Sequence, residues 1–169
     1  MIKNIAAGIA GILLAVTPSF ARIEDGTKPL IDLIGDSGIA VRFNTEECDS
    51  GEYLGVYQHL GMKRAFILCP GEDVDATDHM VVRHEAIHAI QHCVNTARGT
   101  SVYTAVLEDE ADLMDFVRGY LSDEEIAQIK HAYPQSQWNI ELEAFAGMHA
   151  YTSDELAELF TKACLYNED

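Results

Sequence analysis

The spacing of apolar residues changes twice along the chain. Ile5 to Val16 is an unbroken apolar run without charge. From Ile39 to Pro70 the pattern becomes short and β-prone: Ile39-Ala40-Val41-Arg42-Phe43 alternates, and Tyr53 to Leu60 and Arg64 to Cys69 are two further runs. Gly61-Met62 between them predicts a hairpin turn, and Cys69-Pro70-Gly71 ends the sheet. After an acidic loop, Gly71 to Asp78, the period is helical. Met80, Val81, Ile87, Ala89, Ile90, Cys93 and Val94 form a stripe, and no Pro or Gly interrupts Thr77 to Asn95. Val106 to Tyr120 predicts a second helix. Ser122 with Glu125 and Thr152 with Glu155 are capping boxes that open helices reaching about Ala132 and Leu165. Tyr133-Pro134 breaks the first of these, and Trp138 to His149 is helical between them. The expected fold class is α+β, with a small N-terminal antiparallel sheet followed by a mainly helical part. No repeat, low-complexity tract or linker divides it.

The first apolar run has the features of a targeting segment. Lys3 and the amino terminus give a thin positive start, and Ser19-Phe20-Ala21 offers small residues for a signal peptidase. The run is too short to span a bilayer comfortably. The expectation is a signal peptide over residues 1–21, cleaved near Ala21, and one domain over 22–169 in the periplasm or outside the cell. The segment carries one charge, so the mature chain keeps 11 − 1 = 10 basic and 28 acidic side chains, a net charge of −18. Such a surface repels phosphates and excludes nucleic acid and anionic membrane as partners. All four cysteines lie in the mature part. In an exported chain they predict two disulfides, with Cys48–Cys69 and Cys93–Cys164 the favoured pairing. The paired spacing of a four-cysteine zinc site is absent.

The chemistry of the chain is concentrated in the main helical stripe, where His84-Glu85-Ala86-Ile87-His88 reads H-E-x-x-H. Histidines four apart sit one turn apart on one helix face and can converge on one metal ion, usually Zn²⁺. Glu85 projects beside the pair, where a carboxylate can take a proton from a water at the metal's open position. A third protein ligand is required. The extension H-E-x-x-H-x-x-G-x-x-H fails, because Gln91 and Val94 stand at its last two positions. His92 lies about 12 Å along the axis from His84, too far to share one ion. The ligand must come from another element, either Glu141 or Glu143 after Trp138, or Glu108 on the earlier acidic helix. In both stretches a small residue three positions after the glutamate allows close helix approach. Spacing leaves these alternatives open.

His84 to Gln91, followed by Tyr133-Pro134, Trp138 and Glu141-Leu142-Glu143-Ala144-Phe145-Ala146, resembles the gluzincin group of zinc metallopeptidases. The likeness spans roughly Val81 to Met148 and is closest to small bacterial and phage members. It implies a zincin-like fold, zinc held by His84, His88 and Glu141, Glu85 as general base, and hydrolysis of a peptide or protein substrate. Two features depart from the group's pattern. Phe145 stands where many members have Asp, and Glu108 to Asp112 is the better match to E-x-x-A-D. The resemblance also implies an oxyanion donor, for which His131, Tyr133 and His149 are the neighbouring candidates. The alternative reading is an exported zinc-binding, disulfide-stabilised domain without turnover.

Overall fold

A computed structural model describes residues 7–8, 27–49, 51, 54–60, 63–69, 79–100 and 103–166. Of the expected targeting segment it includes only Ala7–Gly8, a two-residue strand, β1. The expected hairpin turn at 61–62 and the whole acidic loop before the main helix also lie outside the described residues.

The protein is α+β and mostly helical. Thr27–Asp36 forms α1, a helix that the sequence reading did not anticipate. Its signal is the pair Leu30 and Ile34, one turn apart and fully buried. Pro29 lies in the first turn, where its missing N–H is not needed. Ala40–Phe43 (β2), Gly55–Leu60 (β3) and Lys63–Leu68 (β4) follow. The sheet order is β1-β3-β4-β2. β3 and β4 form the expected antiparallel hairpin, from Gly55 opposite Leu68 to Leu60 opposite Lys63. The sheet as a whole is mixed, not antiparallel, because β2 runs parallel to β4 with Ala40 opposite Ala65. Ala65 to Leu68 are all buried, and such a strand needs neighbours on both edges. Alternation in β2 marks a strand and carries no information on its direction. The Cys48–Cys69 disulfide joins the chain just beyond the C-terminal ends of these two parallel strands.

The central element is α2, His79–Ala97. It packs against the sheet and against α1, α5 and α6, so most of its faces are buried. Glu110–Tyr120 (α3) begins four residues later than the apolar pattern implied. The reason is competition for backbone donors. The N–H groups of Val106 and Leu107 donate to the Glu143 carboxylate at 2.7 and 2.8 Å, and Asp109 caps the helix by accepting from the N–H groups of Ala111 and Asp112. Asp123–Ala132 (α4) and Ser153–Phe160 (α6) both start with complete capping boxes. Between them lies Trp138–Ala150 (α5). A π-helical turn, Thr161–Leu165, continues α6 and carries Cys164 to Cys93 on α2.

Two close approaches set the geometry around α2. A Cβ at Gly55 would fall 2.6 Å from Val81 Cγ1 and 3.1 Å from Glu85 Cγ, so only glycine lets β3 cross the helix at this point. A Cβ at Gly147 would fall 2.6 Å from Ile87 Cδ1, and Ala144 in the same seam is fully buried. α5 therefore lies tightly on α2.

The two disulfides close chain segments of 21 and 71 residues. Restricting the unfolded chain gives about 3 kcal/mol for the shorter loop and about 4 kcal/mol for the longer. Urea unfolding should therefore show a larger loss for Cys93→Ala/Cys164→Ala than for Cys48→Ala/Cys69→Ala. An equal or reversed loss contradicts this ranking.

Candidate metal centre

The regular turn of α2 places His84 and His88 on the face that meets α5, and α5 presents Glu141 to both. His84 Nε2 and His88 Nε2 are 3.0 Å apart. Glu141 Oε2 lies 3.4 Å from the first and 3.6 Å from the second. Each of the three side chains is 1% exposed. They form the one group of three or more potential metal ligands among the described residues. A four-coordinate ion with bonds of about 2.0–2.1 Å sets its ligand atoms about 3.3 Å apart. The triangle formed here matches that spacing, so these residues can hold a metal ion.

Hydrogen bonding tests the fit independently. Both Glu141 oxygens are buried without a hydrogen-bond partner, as are Glu85 Oε1 and His84 Nδ1. An orphaned buried polar atom costs about 1–3 kcal/mol, and more when charged. At 3.4 and 3.6 Å the Glu141 contacts are charge contacts and not formed hydrogen bonds. A cation among the three ligand atoms satisfies the carboxylate that the protein leaves bare.

Electrostatics separates the two imidazoles. Burial pushes the His84 pKa down to about 4. Burial is the largest single influence on His88 as well, but the Glu141 and Glu85 carboxylates and Gln91 together outweigh it and hold the pKa up at about 9. Burial is also the largest single influence on Glu141 and opposes its charge, but His88 and His84 together overcome it, keeping the carboxyl down at about 2. Glu141 is thus an anion in the core, facing two imidazole nitrogens. Burial raises the Glu85 carboxyl to about 8. Its Oε2 accepts the backbone N–H of Tyr57 at 2.6 Å, which fixes the carboxylate against β3.

The other glutamates considered as ligands have different tasks. Glu108 is exposed and pairs with Arg98 at 2.9 Å. Glu143 is buried but accepts from Gln91 Nε2 at 2.8 Å and from the Val106 and Leu107 N–H groups. It pins the loop before α3 onto the seam between α2 and α5. Among the oxyanion candidates, His131 and His149 are exposed, and Tyr133 packs edge-on against Phe145 with ring centroids 6.3 Å apart. Trp138 donates its indole N–H to the Tyr133 carbonyl at 2.9 Å and finishes the end of α4.

Gln91 holds the centre together, although sequence alone assigned it no task beyond closing the His84 to Gln91 run and breaking the extended motif. Its amide nitrogen donates to Glu143 and to the Ile140 carbonyl at 3.0 Å. That orients Oε1 to accept His88 Nδ1–H at 2.8 Å and places it 3.1 Å from the Tyr103 hydroxyl. His88 Nε2 is then the atom turned towards His84 and Glu141. The position of Gln91, three residues after His88 on the same face, was a legible signal. The Tyr57 backbone clamp on Glu85 had none.

No family model matches the chain, and no curated protein or solved structure is significantly similar to it.

Removing the Glu143 carboxylate unpairs two backbone donors and one amide donor. Glu143→Ala should cost about 2–4 kcal/mol in chemical denaturation, on the scale of about 1–3 kcal/mol per orphaned group. It should also speed hydrogen exchange at the Val106 and Leu107 amides. Unchanged exchange there contradicts the clamp.

Proposed function

We propose that the protein is an exported zinc-dependent metallopeptidase in which His84, His88 and Glu141 hold the ion and Glu85 is the general base. The observation that carries this reading is Glu85. It is fully buried beside the ligand triad, with one oxygen tied to the Tyr57 N–H and the other without a partner. A site that only stores or anchors a metal has no use for such a group.

Two imidazoles and one carboxylate make up a donor set used by catalytic zinc sites, which leave a fourth position open. Calcium and magnesium favour all-oxygen sites. A zinc ion bound here supplies Lewis acidity, lowering the pKa of a water and polarising a carbonyl. The chain's own residues do the rest. The Tyr57 N–H holds Glu85 Oε2, so the carboxylate is oriented before reaction. Glu85 Oε1 accepts the proton of the attacking water and returns it to the leaving amine. Gln91 keeps the His88 ring in one tautomer and orientation. The products are a carboxylic acid and an amine, from a peptide or protein substrate.

Two disulfides fit an oxidising, extracytoplasmic environment. No described helix is long and apolar enough to cross a membrane. The proposed location is the periplasm or the exterior, reached through a signal peptide cleaved near Ala21. With a net charge of −17 for the whole chain, nucleic acid is excluded from the proposed partners.

One observation favours a second reading, a zinc-binding domain without turnover. The triad is 1% exposed and Glu85 is 0% exposed, which gives a peptide substrate little surface to approach. Glu85→Gln separates the two. Under the peptidase reading it keeps stoichiometric zinc and the fold but lowers peptide hydrolysis by about 10²–10⁴-fold, the usual contribution of a general base. Full activity in that variant removes the peptidase assignment from this site. In the same measurement series Glu141→Ala should lose the bound zinc and Glu108→Ala should keep it.

A further inference from the structure

The two imidazoles of the centre are supported unequally. His88 Nδ1–H is received by Gln91, an amide anchored by Glu143 and the Ile140 carbonyl and approached by the Tyr103 hydroxyl. His84 Nδ1 is buried and has no partner at all. An apolar ring packs on this imidazole: Phe145 meets the His84 ring edge-on, with centroids 4.5 Å apart and planes at 69°. Phe145 is one turn after Glu141 on α5 and is itself only 8% exposed. A metal-bound imidazole normally donates its second N–H to a carboxylate, carbonyl or water, and loss of that acceptor typically lowers metal affinity by about 10–100-fold.

From this asymmetry we infer that Phe145 is a positioning residue that leaves His84 the unbraced imidazole of the pair, so that this chain binds its ion more weakly than the same triad would with an acceptor at position 145. The inference rests on the proposed zinc site but not on its catalytic use. Gln91 and Glu143 brace one half of the centre, while Phe145 turns an apolar edge to the other half. Of the two imidazoles, His88 is then held firmly and His84 loosely. A polar side chain at position 145 would occupy the space of the first ring atoms of Phe145 and bring an oxygen to the α2 seam.

The test is zinc affinity measured by competition with a chromophoric chelator, using the full disulfide-bonded protein. Phe145→Asn and Phe145→Asp supply an acceptor, and Phe145→Leu is the apolar control. The expected result is binding about 10–100-fold tighter than wild type for the Asn or Asp variant, with the Leu variant unchanged or weaker. Equal affinity in wild type and the acceptor variants, or tightening by Leu as large as by Asn, overturns the inference alone. No zinc binding by wild type or any variant overturns the metal site and the inference with it. Nitrogen–proton correlation spectra of zinc-loaded wild type give a reading that needs no variant to fold. The His88 Nδ1–H resonance should lie well downfield of the His84 Nδ1–H, as expected for one bonded and one unbonded ring N–H. Two equally downfield resonances contradict the asymmetry.

Discussion

The crossing of α2 and α5 buries more polar chemistry than an apolar core tolerates without compensation. His84, Glu85, His88 and Gln91 come from one helix, and Glu141 and Glu143 from the other, all at 5% exposure or less. Removing one carboxylate from water costs several kcal/mol unless donors or charges replace the water. The compensation is graded across the seam. Glu143 has three N–H donors and Gln91 has partners on both amide atoms. Glu85 has one donor. Glu141 has charge contacts and no hydrogen bond. The deficit is largest where the three candidate ligand atoms converge, and that is where a cation would relieve it. This gradient ties the fold to the proposed chemistry more firmly than the presence of a motif does.

The surroundings of the crossing keep it narrow and fixed. Gly55 and Gly147 allow close approach on two sides of α2, and Ala144 fills the seam without widening it. The Cys93–Cys164 bridge fastens the C-terminal half of α2 to the end of the chain. Glu143 draws the loop before α3 inward, at the cost of the first turn of that helix. A metal ligand set must be held within about 0.5 Å of its working geometry by the shell around it. Here that shell is dense around His88 and thin around His84.

The parts legible in the sequence were those with local causes. The capping boxes at Ser122 and Thr152, the stripe of α2 and the two β-prone runs of the hairpin depend on neighbours a few residues away. Both disulfide pairings followed from cysteine count and position. What the sequence hid was decided by distant partners. The pairing of β2 with β4 joins residues about twenty-five positions apart, and neither strand's own pattern shows its direction. The late start of α3 follows from a glutamate more than thirty residues further on. Helix α1 is short, and its two fully buried residues are a weak signal beside the long apolar run before it. Within the centre, H-E-x-x-H and the set of candidate glutamates were visible. Spacing did not rank Glu141, Glu143 and Glu108, because their difference lies in which face of α5 meets α2 and in where the 103–109 loop is pinned. The clamp from Tyr57 to Glu85 is a backbone contact, so no residue type announces it.

The reading as a peptidase adds one step to the reading as a metal site, namely that Glu85 serves a reaction. Both need a single ion at the crossing, and that need is the central claim. Metal content after dialysis against zinc and then against metal-free buffer, for the wild type and for His88→Ala, tests it most directly. The account predicts one zinc per wild-type chain and none in the variant. A wild-type chain that retains no zinc, or a variant that retains as much as the wild type, contradicts it.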